Sequence, residues 1–198
     1  MSKNKKSDRT KSEILDAVWE LMAERGSVAS MTEIAAVAGV TRQLIHHYFG
    51  SRGTLLIALV RRADERFAIW EGFDAGLKLM DPADRLRACL AAWLAFVPKI
   101  HPVAIDLIRM RATDPDADAA WTDRMSELRA LFATLTKSIQ RDGALADGWT
   151  ARKAAEFLWA SCSVQYWNLL VGECGWSQAE AEKAIQAAAA RALLRSYR

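Results

Sequence analysis

No apolar run long enough to cross a bilayer occurs in the 198-residue chain, so neither a membrane span nor a membrane partner is expected. The first residues are polar and basic, which removes the apolar segment that a signal peptide needs. Cysteine is scarce. Cys89, Cys162 and Cys174 are odd in number and far apart. They make no disulfide framework and no metal or redox spacing, and they are expected to be reduced, mostly packing residues in a cytoplasmic protein. Histidine is limited to His46, His47 and His101. No metal site and no cofactor is expected from so few ligands. Catalysis needs a convergent nucleophile, base or metal, and no such constellation is present, so an enzyme is not expected. Strand-period alternation, internal repeats and low-complexity tracts are also missing, apart from the alanine run 187–190.

One further absence is local. Residues 34–63 contain no carboxylate, while Arg42, Arg52, Arg61 and Arg62 lie within them. Residues 1–62 hold ten Lys and Arg against six Asp and Glu, whereas the remainder holds 17 against 18. The net charge of +3 therefore comes from the N-terminal third. A basic, acid-free stretch favours polyanions.

What is present reads as helix almost throughout. Residues 1–9 are polar and basic and read as a disordered arm. Ile14, Val18, Leu21 and Met22 recur at helical spacing, which predicts a first helix over about 10–25 with Gly26 as its C-terminal cap. Ser30-Met31-Thr32-Glu33 fits a capping box at the start of a short helix that stops at Gly39. Thr41 caps a third helix to about Tyr48, and Ser51 a fourth to about Asp74. Asp81-Pro82 opens the next helix, Pro98 is expected to end it, and Pro102 to open another. Asp114-Pro115 precedes a long helix to about Arg141. Thr150 caps a helix to about Val171, and Ser177 caps the last one. The fold class expected is all-α, with about nine helices.

The informative stretch is 10–56. Two short helices meet at Ala38-Gly39-Val40, where glycine can supply a positive φ. Ile34, Val37, Val40, Ile45 and Phe49 fall where a three-helix unit would bury them. The third helix then carries Arg42, Gln43, Leu44, His46, His47 and Tyr48. These side chains donate, accept or touch a methyl group, and none is acidic, which suits base edges and phosphates in a major groove.

Here the chain resembles the TetR family of transcriptional regulators. The residues that carry the likeness are Lys11-Ser12-Glu13-Ile14-Leu15-Asp16-Ala17, Gly26, Glu33-Ile34-Ala35-Ala36-Val37-Ala38-Gly39-Val40-Thr41, His47-Tyr48-Phe49-Gly50-Ser51-Arg52 and Leu55-Leu56. The likeness implies a helix-turn-helix DNA-binding domain over 10–56 and a ligand-binding and dimerisation domain over 57–198. By position, it implies Ser30 and Thr41 as phosphate-contacting caps and Arg52 where the family usually has lysine. His46 stands where tyrosine is usual, and Tyr48 where histidine is usual. Gln43 and Leu44 fill positions often held by small residues, so the operator cannot be taken from a relative. Tyr48 has a second reading, as a packing residue against the first helix.

Seven of the eight tryptophans lie beyond residue 60. Trp70, Trp93, Phe96, Met110, Trp121, Trp159 and Tyr166 sit on different expected helices and are candidates to line a pocket for a small apolar or aromatic ligand, with core packing as the alternative for each. His101, Asp106, Arg109 and Arg111 are candidates for its polar anchor. The helix after Thr150 is apolar nearly all round, and the final helix carries a stripe of alanines. Pairing of these two across a two-fold axis would give a four-helix dimer interface and a palindromic operator. The function expected is a ligand-controlled operator-binding regulator, a repressor by family habit. A helix-bundle interaction protein without DNA binding is the alternative.

Overall fold

The computed structural model describes residues 2–25 and 29–195. Within them the chain forms α1 (Ser2–Arg25), α2 (Met31–Val37), α3 (Arg42–Phe49), α4 (Arg52–Phe67), α5 (Ile69–Leu77), α6 (Pro82–Met110), α7 (Pro115–Arg141), α8 (Ala151–Ser161), α9 (Val164–Trp167), a π-helical turn (Asn168–Glu173) and α10 (Gln178–Leu193). The described residues contain no strand, and the all-α class stands. The helix starts follow the expected caps. Ser30, Thr41, Thr150 and Ser177 each accept from the third backbone amide of the helix that follows. Ser51 and Asp81 do the same for α4 and α6.

The helix boundaries depart from expectation in four places. First, α1 begins at Ser2, so residues 2–9 are helical instead of a disordered arm. Lysine is a good helix former, and Arg9 reaches Glu13 one turn on at 2.8 Å. Gly26, the expected cap, lies outside the described residues. Second, α4 stops at Phe67 because Ala68 adopts the left-handed conformation, φ 50°, which nothing in an alanine announces. Third, Pro98 and Pro102 do not divide α6, which runs on for 29 residues. Each proline removes one amide donor, but Val97, Ile100, Val103 and Ala104 are buried on either side, and their packing outweighs the missing bonds. Fourth, the helix from Thr150 ends at Ser161, and Ser163 caps a new one that passes into the π turn. One expected break is absent and two unexpected ones are present, which turns nine helices into ten.

The chain forms two compact units. The first comprises the residues up to Arg66 together with Ile100–Arg124, and the second Phe67–Lys99 together with the chain from Met125 onward. In the first unit Ile14, Val18 and Met22 of α1, Ile34 of α2, Ile45 and Phe49 of α3, and Leu55, Leu56 and Leu59 of α4 are buried. Val37 is 48% exposed, contrary to expectation. At about 100° per residue it lies well off the face that Ile34 and Ala35 bury, and the next inward position is Ala38. Around this core α4 is tied by ions on two sides. Arg62 meets Asp16 at 3.2 Å and Arg66 meets Glu20 at 2.8 Å on α1. Arg52 meets Asp114 at 2.6 Å, Arg61 meets Asp123 at 3.0 Å, and Asp64 meets Arg124 at 3.1 Å at the start of α7. The Asp64–Arg124 pair is almost wholly buried, at 4% and 6% side-chain exposure.

In the second unit Phe73 and Phe132 meet edge to face, and Leu86, Leu90, Leu128, Leu135 and Leu158 are buried in the same unit. The Trp93 indole donates to the Cys162 carbonyl at 2.7 Å. Burial pushes the thiols of Cys89 and Cys162 up to about 12, so both are protonated packing groups, whereas Cys174 is exposed. Among the described residues α6 alone is long and apolar enough to cross a bilayer by length and composition, but half of that stretch is buried inside the protein, where it serves the core.

Two expectations follow. Asp64→Ala leaves the buried Arg124 guanidinium without its carboxylate and costs about 3–5 kcal/mol in urea unfolding, while Asp64→Leu combined with Arg124→Met costs less than Asp64→Ala alone. A double variant less stable than the single would show that the pair stabilises in its own right. Asp106 supplies a pH dependence. It is 3% exposed, its Oδ2 has no hydrogen-bond partner among the described residues, and Arg109 approaches no closer than 3.7 Å. Burial raises its pKa and Arg109 only partly opposes this. The native carboxyl therefore keeps its proton to higher pH than the unfolded one, near 3.9, so its burial penalty is absent at low pH and grows as pH rises through that value. Asp106→Asn gains stability relative to the parent between pH 4 and pH 7, and a difference independent of pH would contradict the raised value.

Candidate nucleic-acid interface

The interface is built by local hydrogen bonds before any tertiary contact. Ser30 N–H donates to Glu33 Oε2 at 2.8 Å, and Glu33 N–H returns to Ser30 Oγ at 3.3 Å, which closes the capping box. Helix α2 ends after seven residues as Ala38, Gly39 and Val40 donate to the carbonyls of Ile34, Ala36 and Ala35. Gly39 makes this turn at φ 64° with no atom where a Cβ would stand. Thr41 then caps α3, accepting from Leu44 N–H at 3.2 Å. Ile45 and Phe49 turn inward and are buried. Gly50, at φ 73°, closes α3 by donating to the His46 carbonyl at 2.8 Å.

What remains outward on α3 follows from its period. Arg42, Gln43, His46 and His47 are exposed, and Leu44 is half-buried. Tyr48 is also half-buried. Its ring lies beside His47, and the Lys11 ammonium of α1 stands 5.8 Å from its centre. It therefore packs toward the first helix, the second of its two readings, while keeping part of its surface in solvent. Ser30 and Thr41 are exposed at the two helix starts. Each hydroxyl accepts from its own helix, which leaves its O–H available to donate to an anion.

The charge of this region is smaller than the sequence suggests. Of the four arginines in the acid-free stretch, Arg52, Arg61 and Arg62 are each held by carboxylates from elsewhere in the chain. Arg42 is exposed and pairs with no carboxylate among the described residues. Arg52, expected at a phosphate, keeps only 21% of its side chain exposed. Its partner is Asp114, which in the sequence marks only the approach to α7. An acid 62 positions away leaves no local signal.

The seven aromatic and methionine candidates divide between the units. Met110, half-buried, and Trp121, 3% exposed, belong to the first. Trp70, Trp93, Phe96, Trp159 and Tyr166 belong to the second. Trp93 and Phe96 are buried and touch, with ring centres 5.7 Å apart. Trp159 is half-buried beneath the Arg129 guanidinium, and Tyr166 is 41% exposed. A groove of about 400 Å³ in the second unit is lined by Arg129, Ala133, Lys137, Ala151, Arg152, Ala155 and Glu156, none of them a candidate. Of the proposed polar anchors, Arg111 is bound to Asp118 at 2.7 Å, Arg109 is exposed, and Asp106 is buried.

Two short capped helices, a glycine turn and an exposed, acid-free second helix on a buried three-helix core define a helix-turn-helix DNA-binding protein. Residues 14–59 match the family model described as bacterial regulatory proteins, tetR family. The chain is 31% identical over 176 residues to the HTH-type transcriptional repressor BepR of Brucella suis, covering 84% of this chain and 83% of that protein. It is 36% identical over 97 residues to the HTH-type transcriptional regulator BetI of Rhizobium meliloti, covering 42% and 48%. The fold is similar to that of the fatty acid degradation regulator FadR from Bacillus halodurans, with TM-score 0.74 at 18% identity over 91% of this chain and 94% of that one. It is also similar to a transcriptional regulator from Saccharomonospora viridis in complex with choline, with TM-score 0.72 at 19% identity over 95% and 99%. The chain belongs to the TetR family, and it is a DNA-binding transcriptional regulator.

The turn gives a direct test. With no neighbour near its Cβ position, Gly39→Ala is opposed by the left-handed backbone alone and costs about 1–2 kcal/mol in urea unfolding. Gly39→Asn costs less and Gly39→Val more. Equal stability of all three would mean that the φ of 64° is not what glycine supplies.

Proposed function

We propose that this chain is a homodimeric repressor that reads a palindromic operator with α3 and releases it when a small organic ligand binds. The observation that carries the reading is the exposed face of α3, where Gln43, His46 and His47 stand with Arg42 and no acid. Gln43 and His47 make base contacts, Leu44 suits a thymine methyl, and Arg42, with the hydroxyls of Ser30 and Thr41, engages the backbone. His46 and His47 point different ways, so His46 serves the flank. Tyr48 contributes its solvent edge while bracing α3 on α1.

Dimerisation is assigned to the segment from α8 to α10. Tyr166, Leu169 and Trp176 are each more than 40% exposed there and would supply apolar surface to a partner copy. A two-fold pairing would set two recognition helices about 34–36 Å apart, one turn of duplex. The ligand site is assigned to the second unit, with Trp70, Trp93, Phe96, Trp159 and Tyr166 as the candidate lining residues. The choline held by the Saccharomonospora protein illustrates the size of molecule such a fold accepts. Ligand and operator weaken each other by the same factor, as linkage requires. Such a regulator acts in the cytoplasm, where its DNA lies.

Selection of bound duplexes from a random library, repeated at rising salt, tests this reading. The expected product is a palindrome. On it, Gln43→Ala and His47→Ala each lose about 1–3 kcal/mol of specific binding while keeping their affinity for random duplex. Sequence-independent binding at every salt concentration, or equal losses on both duplexes, would refute base reading by α3.

A further inference from the structure

We propose that Arg52 is a positioning residue, a strap that ties the exit of the recognition helix to the first turn of α7, and that it does not neutralise a DNA phosphate. Arg52 is the first residue of α4, directly after the Gly50-Ser51 exit from α3. Its Nη1 donates to Asp114 Oδ2 at 2.6 Å, and Asp116 Oδ2 stands 3.8 Å away. The Arg52 and Asp114 side chains are 21% and 15% exposed, so this is no loose surface pair.

Asp114 is doubly engaged. Its Oδ1 accepts the backbone amides of Asp116 and Ala117 at 3.0 and 3.2 Å, and so caps α7. Burial opposes its charge, but Arg52 and the two amides more than offset this and hold its pKa below the usual carboxylate range. One carboxylate thus fixes the start of α7 with one oxygen and the start of α4 with the other. The two first turns also approach closely at Gly53, where a Cβ would stand 2.5 Å from Asp116 Oδ1. A phosphate competing for Arg52 would have to displace two carboxylates at once. Arg42 needs no such displacement.

The two roles differ in what salt reveals. A cation that neutralises a phosphate releases counterions and steepens the dependence of binding on salt, by about 0.9 in log–log slope for each contact. A strap changes only how well α3 is aimed. The inference rests on α3 being the reading helix. The test measures anisotropy on a duplex selected by the parent protein and on a scrambled duplex of equal length, across a salt series. Thermal midpoints are read by circular dichroism to hold the folded fraction constant.

Arg52→Ala and Asp114→Asn are each expected to lose about tenfold on the selected duplex and nothing on the scrambled one, with an unchanged salt slope. Asparagine keeps the cap of α7 and removes only the charge. The double variant is expected to be no worse than either single, and Arg52→Lys to recover most of the loss. A slope lowered by about 0.9 per protomer in Arg52→Ala, with equal losses on both duplexes, would overturn the proposal in favour of a phosphate contact. So would tighter or unchanged binding by Asp114→Asn. If the parent selects no duplex, the reading of α3 has failed, and the salt slope of Arg52→Ala on the scrambled duplex decides the role of Arg52 alone.

Discussion

Asp64 and Arg124 face each other at 3.1 Å, each under 7% exposed, between the last turn of α4 and the first third of α7. A buried ion pair is a poor source of net stability, because desolvation consumes most of the attraction. It is a strong source of register, because neither charge can be buried without the other. Sliding α4 along α7 by one turn would separate the two and leave both unsolvated. Arg61 with Asp123 and Arg52 with Asp114 join α4 to the same segment in the same order along both, and are consistent with that one alignment. Arg62 and Arg66 repeat the device towards α1. Helix α4 is thus fixed in rotation as well as in position, and α3, which precedes it by two residues, inherits its orientation.

The same arrangement changes the meaning of the basic stretch. A run of thirty residues without a carboxylate suggests an open positive surface, yet three of its four arginines are spent on acids drawn from α1 and from the start of α7. Net charge along a sequence says where cations are covalently, not which solvent or partner they meet. On the proposed reading, binding to DNA leans on fewer free side-chain cations, on hydroxyls at helix starts, and on the polar groups of α3. An interface of that kind gains less from non-specific attraction and more from matching the base edges.

How much of this was legible depended on the range of the interaction concerned. Capping is written within four residues, so Ser30, Thr41, Ser51, Asp81, Thr150 and Ser177 could be read directly, and each caps as expected. Gly39 is legible for the same reason, since one residue type answers one backbone need. Signals that tertiary packing can overrule were misread. Pro98 and Pro102 look like helix ends, but buried neighbours hold α6 through both. Ala68 ends α4 in the left-handed conformation although alanine favours helix, and nothing in the local sequence announces it. Val37 looks apolar and therefore inward, yet its angle on a seven-residue helix puts it in solvent. The partners of the arginines were illegible altogether, since positions 52 and 114 are linked only by the folded chain.

The division of labour within the first unit has a consequence for how such a protein changes. Arg42, Gln43, His46 and His47 on the outer face of α3 are exposed, so substitution there disturbs little of what is packed. Residues such as Arg52, Asp64 and Arg124 each satisfy a charge on another element, so replacing one leaves a partner stranded. The departures of this chain from its family's pattern at 43, 44, 46 and 48 all fall on α3, where the outer face is free and even Tyr48 and Leu44 are only half-covered. The arginine that replaces the usual lysine at 52 falls on the other side of that line. A guanidinium offers several donors in a fixed fork, and here one of them engages a carboxylate that also caps a helix while a second acid waits nearby. A lysine at that site would supply the charge but not the fork, which makes the exchange a change of internal geometry, set apart from the free face of α3.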